Sequence, residues 1–494
     1  MPRDNPIVIG LDQGTTNVKA IALDARGRVL TEAARPIATQ SPSAGIVEQD
    51  AEMIFTTAVA CIRDAIAKCG RPVYDIVALG IANQTETLIV WDRATGRPVI
   101  PAMIWQDRRG AAEIESLRSQ SEMIQSRTGL DLDPTFTAAK LRWIFHNRPE
   151  IAAGLGNGTL IWGTVDTWLI WKLTGGTTYA TEPSNASRTM IFDIARLGWD
   201  RELVELFGLA LSSLPECCAS NADFGIIDPI LFGAAIPITG NMGDQQASLF
   251  GHGCFSEGEL KVTYGTGAFL WVNAGAKPPQ TEAKGIIRTI AWQTDAPCYA
   301  YEGFVMYAGK IVDWLATRLA IGDGAAGVIA AAQKSGNDEG VLLIPAFQGL
   351  ASPWWQPSMR AAFLGLSEAT SSGNLAQAGL EGIAFQIRAI LDALDLGVKN
   401  HATIKVDGGL TRAKYFLELQ AKLLDRPLTQ SQMDSVTPFG AALMAGYGAG
   451  LWSSLDELRG LIPRGNRIEP QPDRALEARY GQWQDAIREM IARQ

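Results

Sequence analysis

Ile7-Val-Ile-Gly-Leu-Asp-Gln-Gly-Thr-Thr-Asn-Val-Lys-Ala-Ile-Ala-Leu-Asp24 holds two apolar runs, 7–11 and 18–23, with Asp12, Gly14, Thr15 and Thr16 between them. The pattern predicts two β-strands joined by a tight turn. Such a turn suits an anion. Gly14 lets backbone N–H groups come close, and successive N–H groups with two hydroxyls make a concavity. Asp12, at a strand end, is of the type that holds hydrated Mg²⁺ beside phosphate oxygens. Lys19 adds positive charge. An ordinary N-terminal hairpin would carry the same turn chemistry, so the choice between the two rests on the remaining chain.

The theme returns at mid-chain. Leu260-Lys-Val-Thr-Tyr-Gly-Thr-Gly-Ala-Phe-Leu-Trp-Val-Asn273 is again an apolar run, a Gly-Thr turn and an apolar run. The economical reading is a duplicated α/β domain with a phosphate turn in each half and a cleft between them. Just before the repeat, the stretch 236–250 predicts a strand ending at Gly240, a bend at Gly243 and a helix from Gln245, which places Asp244 on a strand-to-helix elbow. The boundary is set there, giving halves 1–250 and 251–494. A helix is expected over 50–69, with Asp50 as N-cap and Gly70 past its end. A buried strand over 75–82 runs into Asn83-Gln-Thr-Glu-Thr87, and strand ends are where sites collect in open α/β sheets. Residues 302–316 read as a helix passing over Gly309. A strand over 403–407 ends in Gly408-Gly409, which would let a flat ring or a phosphate approach the backbone, although a plain strand-to-helix turn looks the same. Thr437 is the expected cap of the next helix. The tail, with Leu476, Tyr480, Trp483, Ile487 and Ile491 on one face, is an amphipathic helix that docks on a domain face.

Bulk properties narrow the class. At 494 residues the chain exceeds one typical core. Its net charge of −9, without a basic cluster, argues against nucleic acid or an anionic membrane as main partner. Six scattered cysteines without a C-x-x-C pair suit reduced thiols, hence a cytoplasmic protein. No signal peptide or membrane span is expected. His146, His252 and His401 are far apart, and nothing marks a zinc site. No G-x-x-x-x-G-K-[ST] occurs, so this is not a P-loop enzyme.

An Asp-bearing turn, a Gly-Thr-Gly turn, a strand-end Gly pair and an elbow aspartate together suit phosphoryl transfer from ATP to a hydroxyl. That reaction needs Mg²⁺, a carboxylate to take the hydroxyl proton, and a cleft that closes against water. Seven runs then resemble the FGGY carbohydrate kinases, and among them the glycerol kinases most closely: Asp12-Gln-Gly-Thr-Thr16, Trp105-Gln-Asp-Arg-Arg109, Gly163-Thr-Val-Asp-Thr-Trp-Leu-Ile-Trp171, Asn185-Ala-Ser-Arg-Thr-Met190, Gly243-Asp-Gln-Gln-Ala247, Thr263-Tyr-Gly-Thr-Gly267 and Val406-Asp-Gly-Gly409. The resemblance spans about residues 6 to 460. It implies a ribonuclease-H-like, actin-like fold in each half, with polyol on the first half, ATP on the second and the site in the cleft between.

Carried over by motif, Asp244 is the implied catalytic base and Asp12 the metal residue. Thr15, Thr16, Asn17 and Lys19 line the phosphate turn, Asn17 and Lys19 standing where glycerol kinases usually have serine and arginine. Thr266, Gly309 and Gly409 are implied nucleotide contacts. Glu86, Gln245 and Phe269 are implied substrate contacts. Two positions depart from the pattern. Thr85 and Thr135 stand where glycerol kinases carry an arginine and a tyrosine. The expected reaction is phosphorylation of a terminal hydroxyl of a small polyol such as glycerol, and the two threonines raise the alternative of a larger polyol or ketose. Relatives imply a homo-oligomer, dimer or tetramer. A sugar sensor without turnover and an ATPase without acceptor are the rival classes.

Overall fold

The computed structural model describes residues 5–281, 283–335, 340–396 and 402–493. His401 and the first four residues lie outside them. Two mixed sheets organise the chain. The first holds five strands in the order Ile238–Gly243, Ile76–Asn83, Ile7–Gln13, Asn17–Asp24, Val29–Pro36. Its first three strands in sequence form an antiparallel meander, and the other two run parallel to the opening strand. The second holds seven, in the order Ile287–Gln293, Pro297–Val305, Ala268–Gly275, Leu260–Tyr264, Ile404–Asp407, Leu428–Gln430, Asn466–Ile468. Around Leu260–Tyr264 the pattern of the first sheet repeats, with antiparallel neighbours on one side and parallel ones on the other. The extra strands sit at the two edges. The expected duplication is therefore present in the topology as well as in the turns.

Local signals explain most elements. The helix Ala51–Cys69 starts where the Asp50 carboxylate accepts the N–H groups of Glu52 and Met53, and stops at Gly70 in the left-handed region. The tail helix Arg474–Ala492 buries Leu476, Tyr480, Trp483 and Ile487 against the second core, and the Trp483 indole donates to the Leu343 carbonyl.

Three expectations are corrected. The elbow strand runs on to Gly243 and the helix Asp244–Gly251 begins at Asp244 itself. Residues 302–316 are not one helix: Glu302 lies on the strand Pro297–Val305, and Gly309 opens the helix Gly309–Arg318. The helix Val436–Gly448 has Ser435 at its N-cap, without a side-chain cap bond, so Thr437 is inside the first turn.

That last helix joins the halves. It belongs to the second half by sequence but lies on the first sheet, with Phe439 and Ala441–Ala445 in a shared core with Val8, Ala78 and Met242. A Cβ at Gly10 would fall 1.9 Å from the Pro438 carbonyl oxygen, and one at Gly80 2.0 Å from that of Ala441. Only glycine permits such an approach of helix to sheet. Among the described residues no helix is long and apolar enough to cross a membrane.

Candidate active site

The elbow is built from a buried strand and a short helix. Gly243 N–H donates to Ser184 Oγ at 2.9 Å, and that hydroxyl donates to the buried Glu182 carboxylate. The strand end is thus tied to the short helix Pro183–Ala186, capped by Glu182. Asp244 follows, its Oδ1 accepting the Gln245 N–H at 2.7 Å. Desolvation first, then the nearby Glu86 carboxylate, push the Asp244 carboxyl up to about 7, against the opposing pull of the Gln245 N–H and of Lys261. A carboxylate tuned near neutrality is suited to accept a proton from a hydroxyl.

Asp12 sits at the end of the opening strand. Its Oδ1 is buried without a hydrogen-bond partner. Burial and the Asp244 charge raise its carboxyl to about 8, with Lys19 pulling the other way. Two carboxylates that repel each other, one with an orphan buried oxygen, form a donor set that fits a hard divalent cation sharing phosphate oxygens. The Thr15 hydroxyl accepts from the Trp105 indole at 2.9 Å and donates to Gln84 Oε1 at 3.1 Å, while Gln49 donates to its carbonyl. Lys19 donates to the Asp434 carbonyl at 3.0 Å, across to the second half. Thr16 and Asn17 are exposed at the turn.

A cavity of about 630 Å³ opens between the halves. Of the residues singled out from sequence, Thr15, Thr85, Glu86, Thr135, Asp244, Gln245 and Phe269 line it. Asp12, Thr16, Asn17, Lys19, Thr266, Gly309 and Gly409 do not. Glu86 takes φ 63°, a left-handed conformation for a non-glycine residue, and such strain is kept where surroundings enforce it. Thr137 Oγ1 and Lys140 Nζ both donate to its carbonyl. Lys140 is fully buried, bonds the Thr135 carbonyl as well, and desolvation lowers its ammonium to about 8.

The sequence does not single out Arg188 or Glu302, both of which also line the cavity. Arg188 donates from Nε to Glu86 Oε1 at 2.6 Å and from Nη1 to Glu302 Oε2 at 2.7 Å, so one buried guanidinium ties the two halves across the cavity. Arg188 lay within the quoted Asn185–Met190 run, so a signal existed. Glu302 had none, because its strand read as helix. On the same wall Phe269 stacks on Phe304 with centroids 4.7 Å apart. Thr85 donates to Glu86 Oε2 at 2.7 Å, and Thr135 accepts from Arg108 at 3.2 Å. Both threonine hydroxyls are therefore partnered inside the protein.

The remaining candidates cluster on the second sheet. Gly309 N–H donates to the Gly265 carbonyl at 3.0 Å and Lys310 N–H to that of Thr266 at 3.2 Å, placing the Gly-Thr-Gly turn against the start of the Gly309–Arg318 helix. Gly408, at φ 95°, packs so closely on the end of Leu260–Tyr264 that a Cβ would meet the Tyr264 carbonyl oxygen at 2.4 Å. A Cβ at Gly409 would meet nothing within 4 Å, so backbone there is open to a flat ligand.

Comparison with known proteins agrees with this layout. The N-terminal domain of the FGGY family of carbohydrate kinases matches residues 7–251, and its C-terminal domain matches residues 260–449. A glycerol kinase of Polaromonas naphthalenivorans is 41% identical, over 98% of this chain and 99% of that one. A glycerol kinase of Thermus brockianus is 42% identical, over 97% of each. Among solved structures, Plasmodium falciparum glycerol kinase with ADP superposes with a TM-score of 0.92 at 32% identity, covering 98% of both chains. With both halves matched and close relatives along nearly its whole length, the chain belongs to the FGGY family of carbohydrate kinases.

Proposed function

We propose that the chain transfers the γ-phosphoryl group of Mg-ATP to a terminal hydroxyl of glycerol, with polyol held by the 1–250 half and nucleotide by the 251–494 half. The observation that carries this is the buried Asp244 carboxylate, set on an elbow at an interdomain cavity beside Asp12, its carboxyl raised to about 7. The glycerol kinase names of full-length relatives support the acceptor. Asp244 takes the hydroxyl proton as the acceptor oxygen bonds to the γ-phosphorus, and the bond from that phosphorus to the ADP oxygen breaks with its electron pair leaving on ADP. Asp12 would hold Mg²⁺, which when bound would supply charge neutralisation at the phosphate oxygens. Glu86, Arg188 and Gln245 orient acceptor hydroxyls, and Phe269 covers the carbon chain and excludes water. Thr15, Thr16, Asn17 and Lys19 border the phosphates, while Thr266, Gly309 and Gly409 hold the nucleotide.

One observation favours a second acceptor class. Thr85 and Thr135 are short and line a cavity of about 630 Å³, within the range of about 300–1,000 Å³ common for small-molecule sites. A four- or five-carbon polyol or ketose fits that space. The protein is read as a cytoplasmic homo-oligomer. Its cysteines are free, and Ile226 and Ile230 are exposed apolar side chains that a subunit contact would cover. The test is ADP release with Mg-ATP against glycerol, erythritol, threitol, erythrulose, pentitols, xylulose and ribulose. Highest kcat/KM on glycerol supports the first reading. A longer best substrate replaces it with the second, and no acceptor-dependent release rejects both.

A further inference from the structure

Lys261 lies on the strand Leu260–Tyr264, whose alternate residues Leu260, Val262 and Tyr264 face the second core. Lys261 and Thr263 therefore point to the other face, toward the first half. There Lys261 is fully buried. Its ammonium donates to Gln245 Oε1 at 2.7 Å and to Thr263 Oγ1 at 2.9 Å. Two of its three hydrogens are thus committed, one across the cleft to the residue beside Asp244. The charges facing it come from several elements: Asp244 from the elbow helix, Glu302 from the neighbouring half of the second sheet, Asp407 from the strand Ile404–Asp407, and the Cys254 thiol. Asp407 is itself 3.4 Å from His252 Nε2. Asp244 is faced in addition by Glu86 and Asp12. Lys261 is the cation on the second-half side of this carboxylate cluster, and a buried ammonium is tolerated only with such partners.

We propose that Lys261 is a positioning residue for phosphoryl transfer: through its hydrogen bonds to Gln245 and Thr263 it fastens the Asp244–Gln245 elbow to the sheet bearing the Gly-Thr-Gly turn. This rests on the kinase reading above. The Thr263↔Asp407 pairing puts the same strand beside the Gly408-Gly409 turn, so nucleotide and base are registered through one element.

The experiment compares the full-length wild type with Lys261→Met and Lys261→Gln, using kcat and KM on the best acceptor of the panel and calorimetric Mg-ADP binding. Methionine keeps bulk without charge. Glutamine keeps a donor, and serves should the methionine variant not fold. The expected result is a kcat lower by about 100-fold with the Mg-ADP Kd within about threefold, a size in keeping with general-base catalysis. The KM for the acceptor should stay within about threefold in both variants, so that the loss falls on kcat. A kcat within about threefold of wild type, or a loss of Mg-ADP affinity matching the loss of kcat, overturns the proposal. Absence of turnover in the wild type itself would instead reject the kinase reading.

Discussion

The two halves share a strand order but offer their ligands different things at equivalent strand ends. In the first half the opening strand carries Asp12 one residue before its end at Gln13, and the adjacent parallel strand Ile76–Asn83 runs into Gln84, Thr85 and Glu86, whose polar side chains line the cavity. In the second half the corresponding strands end in Gly265-Thr-Gly267 and in Gly408-Gly409. One half presents side chains that can orient hydroxyls and hold a cation. The other presents bare backbone that can lie against phosphates and a flat base. Duplicated topology fixes where the two surfaces meet, and the residues at the turns decide which ligand each takes.

Substitutions can break this contrast. The largest effect after loss of the base itself is expected at Asp12. Asp12→Asn should lower kcat by about 10³-fold and raise the Mg²⁺ concentration needed for half-maximal rate, as expected when a charge-stabilising group is lost. Thr266→Val on the second-half turn should instead raise the KM for ATP by about tenfold or less with little change in kcat, the signature of lost uniform binding. Equal effects of the two on kcat would contradict the division of labour.

Arg188→Met tests the clasp between the halves. It leaves Glu86 and Glu302 buried and unpaired, at a cost of about 3–5 kcal/mol read by urea unfolding. Gly80→Ala tests the helix seated on the first sheet. Its new Cβ would meet the Ala441 carbonyl, and overpacking of this kind costs about 1–3 kcal/mol. The smallest change concerns the acceptor. Restoring arginine at Thr85 and tyrosine at Thr135 should shift kcat/KM toward glycerol over longer substrates by about tenfold, near 1.4 kcal/mol.

Much of this was legible before the structure. The opening hairpin, the capped helix after Asp50 and the mid-chain repeat depend on local chemistry, so turn residues and periodicity disclose them. What failed depends on distant partners. The elbow strand carries Gly240, Asn241 and Gly243, poor strand formers by propensity, and so was read as ending early. A Cβ at Gly240 would stand 2.5 Å from the Ala445 amide nitrogen, a residue of the docked helix more than two hundred positions away. Glu302 was placed on a helix because the glycines and apolar residues around it fit that period too, and its strand neighbours come from elsewhere in the sheet. The Arg188–Glu302 pair spans 114 positions and exists only once the halves meet. Asp244 and Glu86 stand out at predicted strand ends, where sites collect in such sheets, and their roles come from the resemblance to FGGY kinases.

The central claim is that Asp244 takes the acceptor proton. Asp244→Asn, assayed for ADP release on the best acceptor and for Mg-ADP binding by calorimetry, tests it directly. In the wild type kcat/KM should fall as pH drops below about 7, because the carboxylate must be ionised to act. The variant should lose at least about 10³-fold in kcat, lose that pH limb, and bind Mg-ADP as the wild type does. A variant that keeps its turnover, or keeps the acid limb unchanged, would show that another group carries the proton.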